Sequence, residues 1–171
     1  RDTLGSLEAS RGRIDLALRH YTLALVEKQR AGDRAGEAIT LGNLGRLYLR
    51  CGWLDDAMEC FERDLEIARE LGDRRGEARM LEDLGRTHLE LGELDTADAL
   101  LQIAEEVAVA AGLHDVAAFA RLDAARVAAA RGNFDDASAR LARARASTPE
   151  PAPYLAALAN AAAARLSLIH I

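Results

Sequence analysis

The sequence predicts an all-α fold, a row of antiparallel helix pairs, and three observations carry the prediction. The 171-residue chain repeats a set of residues every 40 positions: Gly12, Gly52, Gly92 and Gly132, with Asp15, Asp55, Asp95 and Asp135, and Ala17, Ala57, Ala97 and Ala137. Ile14, Leu54, Leu94 and Phe134 complete the set, too many coincident series for chance. Ala and Leu dominate a composition with 4% aromatics and 3 prolines, which favours helices packed through small and aliphatic side chains. Glycines with acids close behind them stand where one helix must stop and the next begin.

The helices follow in order. The first pair is expected at 2–11 and 15–31, separated by Gly12 and closed by Gly32. Asp33 and Glu37 then cap and charge the start of a helix over 34–51, in which Leu41, Leu44 and Tyr48 recur at helical spacing and Gly45 permits close helix approach. Its partner over 55–71 contains "MECFERDLEIAREL" and ends at Gly72 in the left-handed C′ position. Asp73 and Glu77 open 74–91, paired with 95–111; the last pair is 115–131 with 135–147. The octet "LGDRRGEA" at 71–78 resembles a phosphate or metal loop. Its earlier copy "AGDRAGEA" keeps the pattern, but the third, "AGLHDVAA", loses the arginines and the second glycine, as a turn can and a ligand loop should not. The octets therefore read as punctuation. No helix buries its apolar stripe alone, so each pair must pack on the next.

These positions resemble the tetratricopeptide repeat family. Leu44, Gly45 and Tyr48 match its first helix, as do Leu84 and Gly85, with His88 in place of the aromatic. Its second helix carries a small, a bulky and a small residue: Ala17, Tyr21 and Ala24 match, as do Ala97, Leu101 and Ala104, whereas Ala57 and Phe61 are followed by Asp64. Units longer than the family's usual 34 residues look like those of polarity scaffolds and of bacterial signalling ATPases and transcriptional activators. The resemblance implies a right-handed superhelical solenoid forming a single array over 1–165, with units at about 1–37, 38–77, 78–117 and 118–151 and a partial one at 152–165. The closing "LSLIHI", 166–171, resembles the translated end of a sequencing-library transposon and is read as a non-native scar; the other reading is a degenerate fifth helix. On the first reading, and with no methionine at Arg1, the chain is expected to be a fragment.

Several function classes are disfavoured. A formal charge of −6, with Lys28 the only lysine, is unlike a general nucleic-acid or anionic-membrane binder. Arginine in place of lysine suggests a GC-rich bacterial genome. Cys51 and Cys60 fit no metal spacing and read as free thiols of a cytoplasmic protein. His20, His88, His114 and His170 fall at unrelated repeat positions, and Asp55–Asp56 and Asp135–Asp136 read as helix-start charges and caps. No enzyme activity, catalytic residue, metal or cofactor is expected.

One series stands out: Arg46, Arg86 and Arg126, one per repeat in the first helix. The resemblance implies that this offset lines a concave, peptide-binding groove, flanked by Asn43, Asp83 and Asp123 a turn earlier and Arg50 a turn later. Guanidinium groups grip carboxylates through paired hydrogen bonds, so a protein or peptide ligand, an acidic one included, is the expected partner. The competing reading is structural, since Asp83–Arg86 and Asp123–Arg126 are i,i+3 pairs. Two functions result: a protein–protein interaction scaffold, or the regulatory arm of a bacterial multidomain ATPase or transcriptional regulator, whose partners include other domains of its own parent chain. Trp53, at a turn, reads as partly packed or as an exposed anchor.

Overall fold

The computed structural model describes residues 1–146, so the proposed fifth unit and the suspected scar lie outside the described residues. Eight α-helices fill the described part: α1 (Asp2–Ser10), α2 (Ile14–Ala31), α3 (Arg34–Cys51), α4 (Leu54–Leu71), α5 (Arg74–Leu91), α6 (Leu94–Ala110), α7 (His114–Ala130) and α8 (Phe134–Ala146). The expected pairs are all present, and each second helix starts one residue earlier than its Asp suggested. The fold is all-α, built of tandem hairpins. The chain divides into two compact units, residues 1–76 and residues from 77 onward.

The turns work as their residues require. Gly32 and Gly72 have φ of 66° and 68°, a region costly for any residue with a Cβ. Each ends a helix in a double hydrogen bond: Gly72 N–H donates to Arg69 O (3.2 Å) and Asp73 N–H to Ala68 O (2.8 Å). Asp33 and Asp73 then accept from the backbone N–H of Gly36 and Gly76, at 2.9 and 3.0 Å. A Cβ at Gly36 would lie 2.3 Å from Asp33 Oδ2, and one at Gly76 2.6 Å from Asp73 Oδ2. The second glycine of each octet thus makes room for the cap.

The second helices begin differently. Their N-caps are Arg13, Trp53 and Glu93, none of which makes a side-chain cap bond. Asp15, Asp55, Asp56 and Asp95 sit inside the first turn, where their charge offsets the helix dipole without capping. Only the last of these helices shows a cap, Asn133 Oδ1 accepting from Asp136 N–H at 3.2 Å.

Within unit 1, Ala17, Tyr21, Leu41, Leu44, Leu47, Cys60 and Ile67 form a core reaching from α2 through α3 to α4. Helices of one pair approach closely because the first carries glycine where the second carries its bulkiest side chain. A Cβ on Gly5 would lie 2.7 Å from the Tyr21 ring, and one on Gly45 2.4 Å from Phe61. Unit 2 follows the same plan with smaller groups. Gly85 faces Leu101, while Ala97 and Leu101 pack with Ala124 and Val127, and Leu122, Ala125 and Ala128 with Ala137 and Leu141.

Candidate functional site

The expected ladder residues all lie on first helices: Asn43, Arg46 and Arg50 on α3, Asp83 and Arg86 on α5, Asp123 and Arg126 on α7. In unit 1, Arg46 Nη2 donates to Asn43 Oδ1 at 3.0 Å. Asp64 of α4 is buried beside this pair. Its Oδ2 and both Arg46 Nη atoms fall between 2.6 and 3.5 Å from the point where a Gly42 side chain would begin. The acid that breaks the small–bulky–small stripe is therefore accommodated by Gly42, and it brings a carboxylate to the guanidinium. Arg50 Nη2 reaches Ala9 O, at 3.5 Å.

In unit 2 the arginines also meet acids. Arg86 pairs with Asp83, and its Nη1 lies 3.8 Å from Glu82 Oε1. Arg126 donates through Nη1 to Asp123 (2.8 Å) and through Nη2 to Glu90 of α5 (2.9 Å). Burial opposes charge on both arginines, but the carboxylates outweigh it: Asp83, Glu82 and Asp123 raise the pKa of Arg86, and Asp123 and Glu90 that of Arg126. Both remain partly open, with 31% and 43% of their side chains exposed. The i,i+3 pairs are thus made, and a ligand here meets guanidiniums already facing acids.

Glu82 departs most from ordinary behaviour. Burial first, then the negative charges of Asp83 and Asp123, push its pKa up to about 8, so at neutral pH it is largely protonated and hydrogen-bonds Asp123. The sequence offered a faint signal, an acid where the neighbouring units have Gly42 and Leu122. Glu37 shows the opposite outcome. Although burial disfavours its charge, Gln29, Arg34 and Arg63 converge on it at 3.0, 2.8 and 3.0 Å and hold its pKa below the usual range. A residue read as first-turn charge is a buried tie between α2, α3 and α4.

Cys51 and Cys60 are free thiols, and burial pushes Cys60 up to about 11, away from thiolate chemistry. His88 Nδ1 lies 2.6 Å from Glu93. Trp53 is 47% exposed with its ring 5.8 Å from that of Tyr48. Among the described residues no group of His, Cys, Asp and Glu is placed to hold a metal ion, and no helix is long and apolar enough to cross a membrane.

The hairpin plan defines a class, and comparison with known proteins agrees with it. Residues 2–70 match the family model described as tetratricopeptide repeat, and the described residues have the tetratricopeptide type of fold. The apo form of RapI superposes with a TM-score of 0.77 at 16% identity, covering 85% of this chain and 54% of that one. BtubC (BKLC) from P. vanneervenii gives 0.75 at 22%, covering 98% and 77%. A Rap protein complexed with Competence and Sporulation Factor gives 0.74 at 18%, covering 84% and 40%. The chain therefore spans about half of RapI and less than half of the second Rap chain. No curated protein matches it.

Proposed function

We propose that the chain is a protein-interaction scaffold that holds a peptide or partner domain through the exposed faces of the first helices of its units. The observation that carries this reading is the recurrence of one polar pair, Asn43–Arg46, Asp83–Arg86 and Asp123–Arg126, on α3, α5 and α7. The guanidiniums of unit 2 are partly exposed and already oriented by a carboxylate, so little side-chain entropy is lost when a ligand adds to them. Acidic ligand groups would address Arg126 first, because its partner Glu90 is half exposed and can be displaced. A similar fold in complex with Competence and Sporulation Factor supports capture of a partner by a fold of this kind.

The test is selection of peptides from a random library on the full chain, followed by titration against Arg126→Gln and Arg46→Gln. The expected result is a loss of tenfold or more in affinity with unchanged helical circular dichroism. Peptides that bind both variants as tightly as the parent would remove these helices as the binding face.

A further inference from the structure

Unit 2 has a polar cavity where unit 1 has core. Leu41 of α3 and Cys60 of α4 are buried in the unit 1 core, with Leu25 of α2 packed against it. Eighty residues on, in the same repeat register, stand Arg121 of α7, Arg140 of α8 and Glu105 of α6. All three line one open cavity of about 640 Å³, shared with Val109 and Arg143, a volume that suits a small molecule or a few residues of peptide. Three exchanges of apolar for charged side chains, on three different helices, give up core burial at this one place. What they provide instead is a wall of oriented guanidiniums. Arg121 Nε donates to Glu105 at 2.7 Å, and Arg140 donates to Asp136 and Asp98, both at 2.9 Å.

Unit 1 shows what such a place holds. There Gln29 of α2 and Arg63 of α4 both donate to Oε1 of Glu37, each at 3.0 Å, and the carboxylate is buried. The residues in register with Gln29 and Arg63 are Val109 and Arg143, and both line the cavity. In register with Glu37, however, stands Ala117. Unit 2 thus keeps the arginine and lacks the acid that it grips in unit 1. Arg121, one turn beyond Ala117 on α7, adds a second guanidinium. The acids that line the cavity have partners in its wall: Glu105 has Arg121, Asp136 has Arg140, and Glu106 accepts from Gln102 at 3.1 Å. The arginine ladder contributes nothing to this wall, since Arg121 and Arg126 lie five positions, or about 140°, apart around α7. We infer that the cavity between α6, α7 and α8 is a second binding site, for a ligand carboxylate that takes, beside Arg121 and Arg143, the place filled by the Glu37 side chain in unit 1. Guanidiniums suit that group through paired hydrogen bonds.

The full chain is titrated with citrate and, separately, with an oligoglutamate peptide, sodium chloride holding the ionic strength constant. Binding is followed through the NMR resonances of the arginine Nε–H groups. Saturable shifts at Arg121 and Arg143 are expected with at least one probe: with citrate the carboxylate belongs to a small molecule, with oligoglutamate alone to a protein segment. Arg143→Gln, at an exposed position, should weaken binding tenfold or more with unchanged circular dichroism, whereas Arg46→Gln should leave it as it is. Ala117→Glu supplies the acid from the chain itself, in a register position that already carries Glu37 and Glu77, and should compete the probe away. No saturation with either probe, saturation with inorganic phosphate alone, or equal affinity in Arg143→Gln would overturn the inference. So would an equal loss in Arg46→Gln, because the probe would then be reading the first-helix face.

Discussion

Glu82 carries its proton because its surroundings make the charge expensive three times over. It is nearly enclosed, and Asp83 on its own helix and Asp123 on α7 are negative. Arg86 lies near but also serves Asp83, and Arg126 is taken up by Asp123 and Glu90; the α6 residues Ala97, Leu101 and Ala104 are buried and apolar. The folded pKa, about 8, stands above the ordinary value of 4.5, so the folded state binds the extra proton between those limits. Its stabilising contribution is complete below the lower value and fades as pH rises toward the upper one. Glu82→Gln keeps the shape and a donor toward Asp123 but cannot ionise. Relative to it, the parent should lose up to about 1.4 kcal/mol per pH unit across that window and level off above it. Urea unfolding of both proteins from pH 5 to pH 9 measures the difference, and a constant difference would mean that Glu82 titrates like an exposed glutamate. Little of this was readable in one dimension. The sequence shows an acid at 82 beside Asp83, but the burial that chiefly raises its pKa, and the second charge on Asp123, 41 residues away, come only with the fold.

Helices and turns were far more readable, since their causes are local. A left-handed turn requires glycine whatever surrounds it, and a 40-residue period locates every such turn. The starts of second helices were misassigned because an Asp two residues inside a helix looks like a cap in sequence, and only geometry separates the two. The close-approach glycines give the sharpest test at this scale. In the α3–α4 hairpin the Cβ of Gly45→Ala would meet three atoms of the rigid Phe61 ring between 2.4 and 2.9 Å, and Phe61 is fully buried. In the α5–α6 hairpin the Cβ of Gly85→Ala would meet Leu101 Cγ and Cδ2 at 2.7 and 3.0 Å and Ala97 O at 3.3 Å; Leu101 is equally buried, but its aliphatic chain has side-chain torsions to adjust that a flat ring lacks. Gly45→Ala should therefore destabilise by roughly 2 kcal/mol and Gly85→Ala by distinctly less, despite the better helix propensity of alanine. Denaturant titration of the two variants checks the order, and equal losses would show that ring and aliphatic chain yield alike.

Across the whole molecule, stability in such arrays is close to a sum of hairpin and nearest-neighbour terms, so composition along the chain maps onto local stability. The α3–α4 pair buries Leu41, Leu44, Leu47, Phe61, Leu65 and Ile67. The α7–α8 pair buries Ala117, Ala118, Ala120, Ala124, Ala125, Ala128, Ala137 and Ala144, with Val116, Leu122, Val127 and Leu141 as its larger groups. Each alanine in place of leucine leaves three fewer carbons to withdraw from water, at roughly 0.8 kcal/mol per carbon. Alanine restores part of this through helix propensity, a few tenths of a kcal/mol per residue at most. Burial dominates, and the hairpins should open in order. Native-state hydrogen exchange should give amides in the middle of α8, around Leu141, opening free energies lower by roughly 2 kcal/mol or more than those around Leu44 and Phe61. A uniform opening energy over all described helices would mean that the hairpins unfold as one body, and local composition would then have no voice in stability.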